Sequence, residues 1–306
     1  MEKRRYGSTE LNVSVLGFGG SEIGGLGGPD AHSKGINLKE VEKLLGSALD
    51  AGLNVIDTAE CYNDSEEKIG SAVSHRRDEY YLFTKCGHGK GFDLPHWDPK
   101  MLEMSIDRSL KRLKTDYIDM IHLHTCSEEI LQRGEVIDVL QRAKEKGKVR
   151  YIGYSGDHTD ALYAVKCGAF DSLMTSLNLM DQEAIDLTIP KAQKQGMGVT
   201  IKRPIANVVW RYDQLPENQY HHAYWERMQQ LEYEFLQADK QESVGTALRF
   251  TLSVPGVHTA IVGTTNPTRW SENARLLEKG ALPTEQYQAI RKRWKEKAKT
   301  DWIGLE

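Results

Sequence analysis

Cysteine is scarce. Only Cys61, Cys86, Cys126 and Cys167 occur in 306 residues, and none of their spacings is paired. That excludes a disulfide framework and leads us to expect a reduced, cytoplasmic protein. Long hydrophobic runs are missing too: no apolar stretch approaches the roughly 18–20 residues that a membrane helix needs. The basic opening Met1–Arg5 is followed by a short apolar stretch, Leu11 to Phe18, that runs into glycines. It lacks the core and cleavage pattern of a signal peptide. Charge of one sign is also in short supply. A net charge of −4 with interspersed signs offers no basic face for nucleic acid. With 39% hydrophobic and 27% charged residues, the chain has the composition of a globular enzyme.

What is present is alternation. Short apolar runs end at Gly19, Asp57, Lys85, His124, Ser155, Thr175, Lys202 and Val262, and segments of helical period separate most of them. Asn37 is a suitable N-cap for a helix carrying Val41, Leu44, Leu45, Ala48 and Leu49 on one face. Further helices are expected over 128–146, 160–167, 183–195 with a kink at Pro190, 243–253, 267–277 and 284–299. Arg4–Gly7 and Asn12–Ser14 read as a preceding hairpin. Eight strands alternating with helices imply parallel pairing and a closed (β/α)8 TIM barrel, with an N-terminal β-hairpin and extra helices near the C-terminus. A doubly wound open sheet is the competing arrangement. No linker-like change of composition appears, so one domain over residues 1–306 is expected. The glycine-rich tract to Gly28 opens no helix and lacks the Gly-x-Gly-x-x-Gly spacing, which argues against a Rossmann phosphate loop and for a mobile loop. The cluster Arg291-Lys292-Arg293 is expected to be a solvated face.

Chemistry gathers at the strand ends. The run Leu53-Asn54-Val55-Ile56-Asp57 closes on a carboxylate, and Tyr62 follows five residues later. Phe83-Thr84-Lys85 closes the next run, and a lysine there needs a carboxylate partner, for which Asp57 is the candidate. The fourth run, Tyr117-Ile118-Asp119-Met120-Ile121-His122-Leu123-His124, ends in a histidine.

These residues together resemble the aldo-keto reductases. Asp57-Thr58-Ala59-Glu60-Cys61-Tyr62 is similar to that family's Asp-Thr-Ala-x-x-Tyr signature. The lysine and histidine motifs follow in register. The resemblance implies catalytic roles for Asp57, Tyr62, Lys85 and His124. Tyr62 would be the general acid, Lys85 its electrostatic tuner, Asp57 the partner that keeps Lys85 charged, and His124 the donor that orients a carbonyl oxygen. A lysine about 4 Å from a phenol favours the phenolate by roughly 4 kcal/mol at an effective dielectric of about 20. That could lower the tyrosine pKa by up to about three units before desolvation subtracts some of it.

The same resemblance implies an NADP(H) cofactor, with NAD(H) possible, and a small carbonyl or alcohol substrate. Ser155 would hold the nicotinamide amide, and Gly19, Gly263 and Thr264 would lie along the cofactor. Arg269, Glu272 and Asn273 match the family helix that grips the adenosine 2′-phosphate and adenine. Four positions depart from the pattern: Gly156 replaces an asparagine, Met174 a glutamine, Lys202 a stacking aromatic and Gly263 a lysine. Asn178 or Ser176 could supply the missing amide contact, and Lys202 or Arg203 could reach the cofactor. Zinc-type spacings are absent, so no metal is expected. The alternative reading is a cofactor-bound sensor or regulatory subunit of the same superfamily with slow turnover. A metal-dependent barrel hydrolase is disfavoured by the lack of a His/Asp ligand pattern. Specificity is expected from loops carrying His88, Trp97 and Trp210 and from Trp302.

Overall fold

The structure is a computed structural model that describes residues 1–26, 35–237 and 239–305. The end of the glycine-rich tract expected to be mobile, Gly27 and Gly28, lies outside the described residues. The hairpin consists of β1 (Lys3–Arg5) and β2 (Asn12–Ser14), paired antiparallel. Eight parallel strands then form a closed barrel: β3 (Leu16–Gly19), β4 (Val55–Asp57), β5 (Tyr81–Cys86), β6 (Ile118–His124), β7 (Val149–Ser155), β8 (Ser172–Ser176), β9 (Gly198–Lys202) and β10 (Thr259–Gly263). β10 pairs with both β3 and β9, which closes the ring. The strands are apolar on both sides because side chains fill the barrel inside and helices cover it outside.

The hairpin plugs the end where the strands begin. Tyr6, Leu11 and Val13 pack on Val55, Phe83 and Met120, and the Tyr6 hydroxyl pairs with Thr200 Oγ1 at 2.7 Å. Gly198 permits this approach, since a β-carbon there would lie 2.2 Å from the Tyr6 ring. With one end sealed, the open C-terminal end is left for chemistry.

The Leu38–Asp50 helix forms as its cap and periodicity require. Asn37 and Glu40 make a capping box, and Val41, Leu44, Leu45, Ala48 and Leu49 are buried. Two expected helices are each broken in two. Gly134, in the left-handed region at φ 79°, separates Glu128–Arg133 from Glu135–Glu145. Thr188 separates Glu183–Leu187 from Ile189–Lys194, because Pro190 cannot continue the earlier ladder. The Thr284–Lys297 helix corrects one expectation. Arg291 is buried, grips Asp186 through both carboxylate oxygens and donates to Gln182 Oε1 at 2.9 Å. It therefore anchors that helix to the barrel wall. No helix among the described residues is long and apolar enough to cross a membrane.

Candidate active site

The C-terminal strand ends converge on a cleft of about 580 Å³. Asp57, His124, Ser155, Lys202 and Gly263 each end a strand, and Lys85 stands one residue from the end of β5. Tyr62 arrives from the loop after β4, which tightens through Tyr62 N–H to the Ala59 carbonyl at 3.0 Å.

Lys85 donates to Asp57 Oδ2 at 2.6 Å and to the Thr58 carbonyl at 2.8 Å, with both charged side chains 2% exposed. Burial opposes the ammonium, but Asp57 and then Tyr62 outweigh it and lift Lys85 above its ordinary value. Burial also lifts Asp57 against the pull of Lys85. We assign the shared proton to Lys85, whose own hold on it is strengthened. Lys85 Nζ lies 4.9 Å from the Tyr62 ring centroid, and the Tyr62 and His124 rings meet edge to face at 5.8 Å.

The expected lowering of Tyr62 is not met. Burial raises the phenol above its ordinary value and outweighs Lys85, whose charge Asp57 partly cancels. The site thus holds Tyr62 protonated, the form an acid must have. His124 is held well below the ordinary imidazole value, by burial first and then by Lys85. A neutral imidazole can still donate one hydrogen bond.

Across the cleft stands a second buried pair that the sequence reading missed. Asp157 Oδ2 accepts from Lys202 Nζ at 2.8 Å and from Ser176 Oγ at 3.1 Å. Its Oδ1 accepts from Thr175 Oγ1 at 2.7 Å and from Ser176 N–H at 2.6 Å. Burial disfavours the carboxylate, yet Lys202 and these donors hold Asp157 below its ordinary range. Lys202 is shifted down, because burial, with Arg203 beside it, outweighs Asp157. The available signal was an acidic residue just after the fifth strand together with a lysine in an aromatic's place.

Gly19, Ser155, Lys202, Arg203, Gly263, Thr264, Arg269 and Asn273 all line the cleft, as does Met174. Arg203 is already engaged: it donates to Ser176 Oγ at 2.8 Å, the Leu305 carbonyl at 2.6 Å and the Tyr220 hydroxyl at 2.8 Å. Asn178 does not reach the wall. Its amide donates to the Arg203 carbonyl and accepts from Met180 N–H, so it holds backbone. Ser176 is likewise spent on Asp157. Glu272 stands behind the wall, 3.1 Å from Arg269 and 2.7 Å from Thr268 Oγ1. Trp302 and Trp210 are buried and off the wall, Trp302 against Trp294 and Arg227.

One departure from the family pattern has a steric cause. A β-carbon at Gly156 would lie 2.6 Å from the Tyr154 hydroxyl, which itself bonds the Cys126 carbonyl at 2.7 Å. Near Gly263 sits the carboxylate of Glu22, which burial, opposed by Arg211, pushes up to about 7. The cleft nonetheless fits a nicotinamide dinucleotide. Ser155 Oγ and Asn273 Oδ1 are buried polar atoms with no hydrogen-bond partner among the described residues. Gly19 and Gly263 face each other so closely that a β-carbon at Gly263 would lie 3.1 Å from the Gly19 carbonyl. Bare backbone therefore lines the floor between the two ends.

The aldo/keto reductase family model matches residues 15–295. The chain is 26% identical to an uncharacterised oxidoreductase of Bacillus subtilis, YqkF, over 97% of both chains. It is 34% identical to L-galactose dehydrogenase of Arabidopsis thaliana over 67% of this chain and 66% of that one. Among solved structures, the holo form of an aldo-keto reductase from Bacillus halodurans, AKR11C1, superposes with a TM-score of 0.79, 27% identity and 96% coverage of each chain. A barrel closed at one end, with Asp57, Tyr62, Lys85 and His124 gathered at the other, is thus found in an oxidoreductase chain that belongs to the aldo/keto reductase family.

Proposed function

We propose that the protein is an NADP(H)-dependent carbonyl reductase that interconverts a small aldehyde or ketone and its alcohol, the whole chain acting as one domain. The observation that carries the reading is the contact of the Tyr62 ring with both His124 and the Lys85 ammonium at the cleft wall. The nicotinamide, when bound, supplies or accepts the hydride. Everything else falls to the chain. Neutral His124 donates to the carbonyl oxygen and orients it. Tyr62, protonated, gives its proton to that oxygen as charge develops there. Lys85 lowers the cost of the phenolate left behind, and Asp57 keeps Lys85 charged. The charges thus run in one line from Asp57 to the substrate oxygen.

For the cofactor, Ser155 supplies a hydroxyl to the amide end, and Gly19 and Gly263 let the diphosphate lie against backbone. Thr264, Arg269 and Asn273 take the adenosine end, with Glu272 orienting Arg269. The half-exposed guanidinium of Arg269 favours a 2′-phosphate and hence NADP(H). Lys202 stands where the family stacks an aromatic, and it would offer the cofactor a cation instead.

Replacing Tyr62 with Phe removes one hydroxyl and no packing. Turnover of a generic aldehyde should fall at least about 100-fold, with cofactor affinity kept. Retained turnover would overturn the assignment of Tyr62. Multiple turnovers of bound NADPH in the parent protein, rather than one slow oxidation, separate an enzyme from a sensor subunit. Because one relative is named as an L-galactose dehydrogenase, aldoses belong in the panel beside simple aldehydes.

A further inference from the structure

Three side chains meet beside the cleft: Cys61 from the loop after β4, His88 from the loop after β5 and His124 at the end of β6. One ligand atom from each lies within 4.8 Å of the other two. We infer that Cys61, His88 and His124 form a binding site for one thiophilic divalent cation such as Zn2+. The inference does not depend on the reaction or cofactor proposed above.

The spacing of one pair is that of ligands on a shared metal. Zinc holds sulfur at about 2.3 Å and imidazole nitrogen at about 2.0 Å, so at a tetrahedral angle the two ligands sit about 3.5 Å apart. Cys61 Sγ and His124 Nδ1 are 3.5 Å apart. The His88 and His124 rings meet edge to face with centroids at 4.7 Å. The hydrogen bond of His88 is long, 3.5 Å from its Nε2 to Thr125 Oγ1, and giving it up costs little.

The loop that carries His88 is held in place. Glu60, the neighbour of Cys61, accepts from Gly87 N–H at 3.2 Å and Gly89 N–H at 3.3 Å through one carboxylate oxygen. Arg108 takes the other oxygen at 2.6 Å. Gly87 and Gly89 have φ of 136° and 59°, a bend that places His88 between them over Cys61. The two residues adjacent in sequence, Glu60 and Cys61, thus divide the work of clamping the loop and supplying the sulfur.

The donor set selects the ion. Two imidazoles and a thiolate, with no carboxylate, suit zinc, cobalt or copper rather than magnesium or calcium. Three protein ligands leave a fourth position for water or another exchangeable ligand. On binding, the Cys61 proton passes to solvent. Coordination at Nδ1 leaves the His124 proton on Nε2, the nitrogen on the other side of the ring. Cys61 and His88 are not among the residues lining the cleft, so the ion would sit behind the imidazole and leave the cofactor's path open.

Cobalt(II) is the probe, titrated into metal-free full-length protein and followed by visible absorption. We expect one equivalent to bind with the intense bands of a tetrahedral site and a thiolate-to-cobalt charge-transfer band, both abolished by one equivalent of Zn2+. Cys61→Ser should remove the charge-transfer band, and His88→Gln should weaken binding at least about tenfold, as loss of a ligand must exceed loss of an outer partner. Cys167→Ser removes the exposed thiol and should change nothing. Weak octahedral cobalt without charge transfer would overturn the site, as would wild-type binding in either ligand variant or a band lost in Cys167→Ser. If Cys61→Ser fails to fold, the parent spectrum and His88→Gln decide alone.

Discussion

The cleft holds two buried lysine–aspartate pairs, on opposite walls, and they are built on opposite plans. In Asp57–Lys85 the lysine has the richer surroundings: it also bonds the Thr58 carbonyl, while Asp57 Oδ1 has no hydrogen-bond partner among the described residues. Lys85 is accordingly shifted up. In Asp157–Lys202 the carboxylate is saturated by Thr175 and Ser176, and Lys202 is shifted down. The same two residue types therefore do different jobs. One pair secures a permanent positive charge beside the Tyr62 phenol. The other secures a permanent negative charge and leaves its lysine the more easily neutralised partner. Which member collects the extra hydrogen bonds sets the electrical character of each wall.

The comparison breaks first on stability. Asp157→Asn would take from Lys202 its carboxylate partner and leave several donors competing for one oxygen. Removing one partner of a buried pair costs about 3–5 kcal/mol. Asp57→Asn should cost clearly less in denaturant unfolding, because Lys85 keeps the Thr58 carbonyl. Equal losses would erase the distinction.

A second test exchanges each lysine for methionine and reads the pH profile of carbonyl reduction. Lys85→Met removes the charge that opposes the burial of Tyr62, so the tyrosine pKa rises further. The alkaline limb, where Tyr62 loses its proton, should move to higher pH, and the maximal rate should fall. Lys202→Met should leave the limb in place and change KM instead. A limb moved equally by both variants would mean that both walls tune the phenol.

The smallest effect is expected at the exposed end. Arg269 is 42% exposed on its side chain and already faces Glu272, so its pairing with a phosphate is screened. Arg269→Ala should weaken NADPH by about 1.5 kcal/mol, the low end for a hydrogen bond to a charged group, and leave NADH nearly unchanged. Quenching of tryptophan fluorescence gives both dissociation constants. Equal losses for the two cofactors would mean that Arg269 does not read the phosphate.

Much of this was readable in the amino-acid sequence because barrel strand ends are local signals. Asp57, Lys85, His124 and Ser155 each terminate an apolar run, and the parallel register carries those ends to one side. Asp157 was not readable in the same way. Its meaning lies in Lys202, 45 positions later in the numbering, and in donors from β8, and only the side-by-side pairing of β7, β8 and β9 brings them together. Arg291 went astray for a similar reason: a basic cluster looks solvated until Gln182 and Asp186 are found beneath it. The direction of the Tyr62 shift needed the sum of burial and charge, and burial is a property of the assembled site.

The fit of Tyr154 against Gly156 has a consequence for how this cleft can change over time. The tyrosine hydroxyl occupies the room that any side chain at 156 would need. An asparagine there, as in the family pattern, is therefore not one substitution away in any useful sense. Gly156→Asn alone meets a filled space, and trimming Tyr154 alone leaves a hole and an unsatisfied Cys126 carbonyl. The two positions are locked as a pair, each intermediate being worse than either end. A lineage that once settled on tyrosine and glycine would keep them, and would adjust its hold on the cofactor elsewhere along the wall.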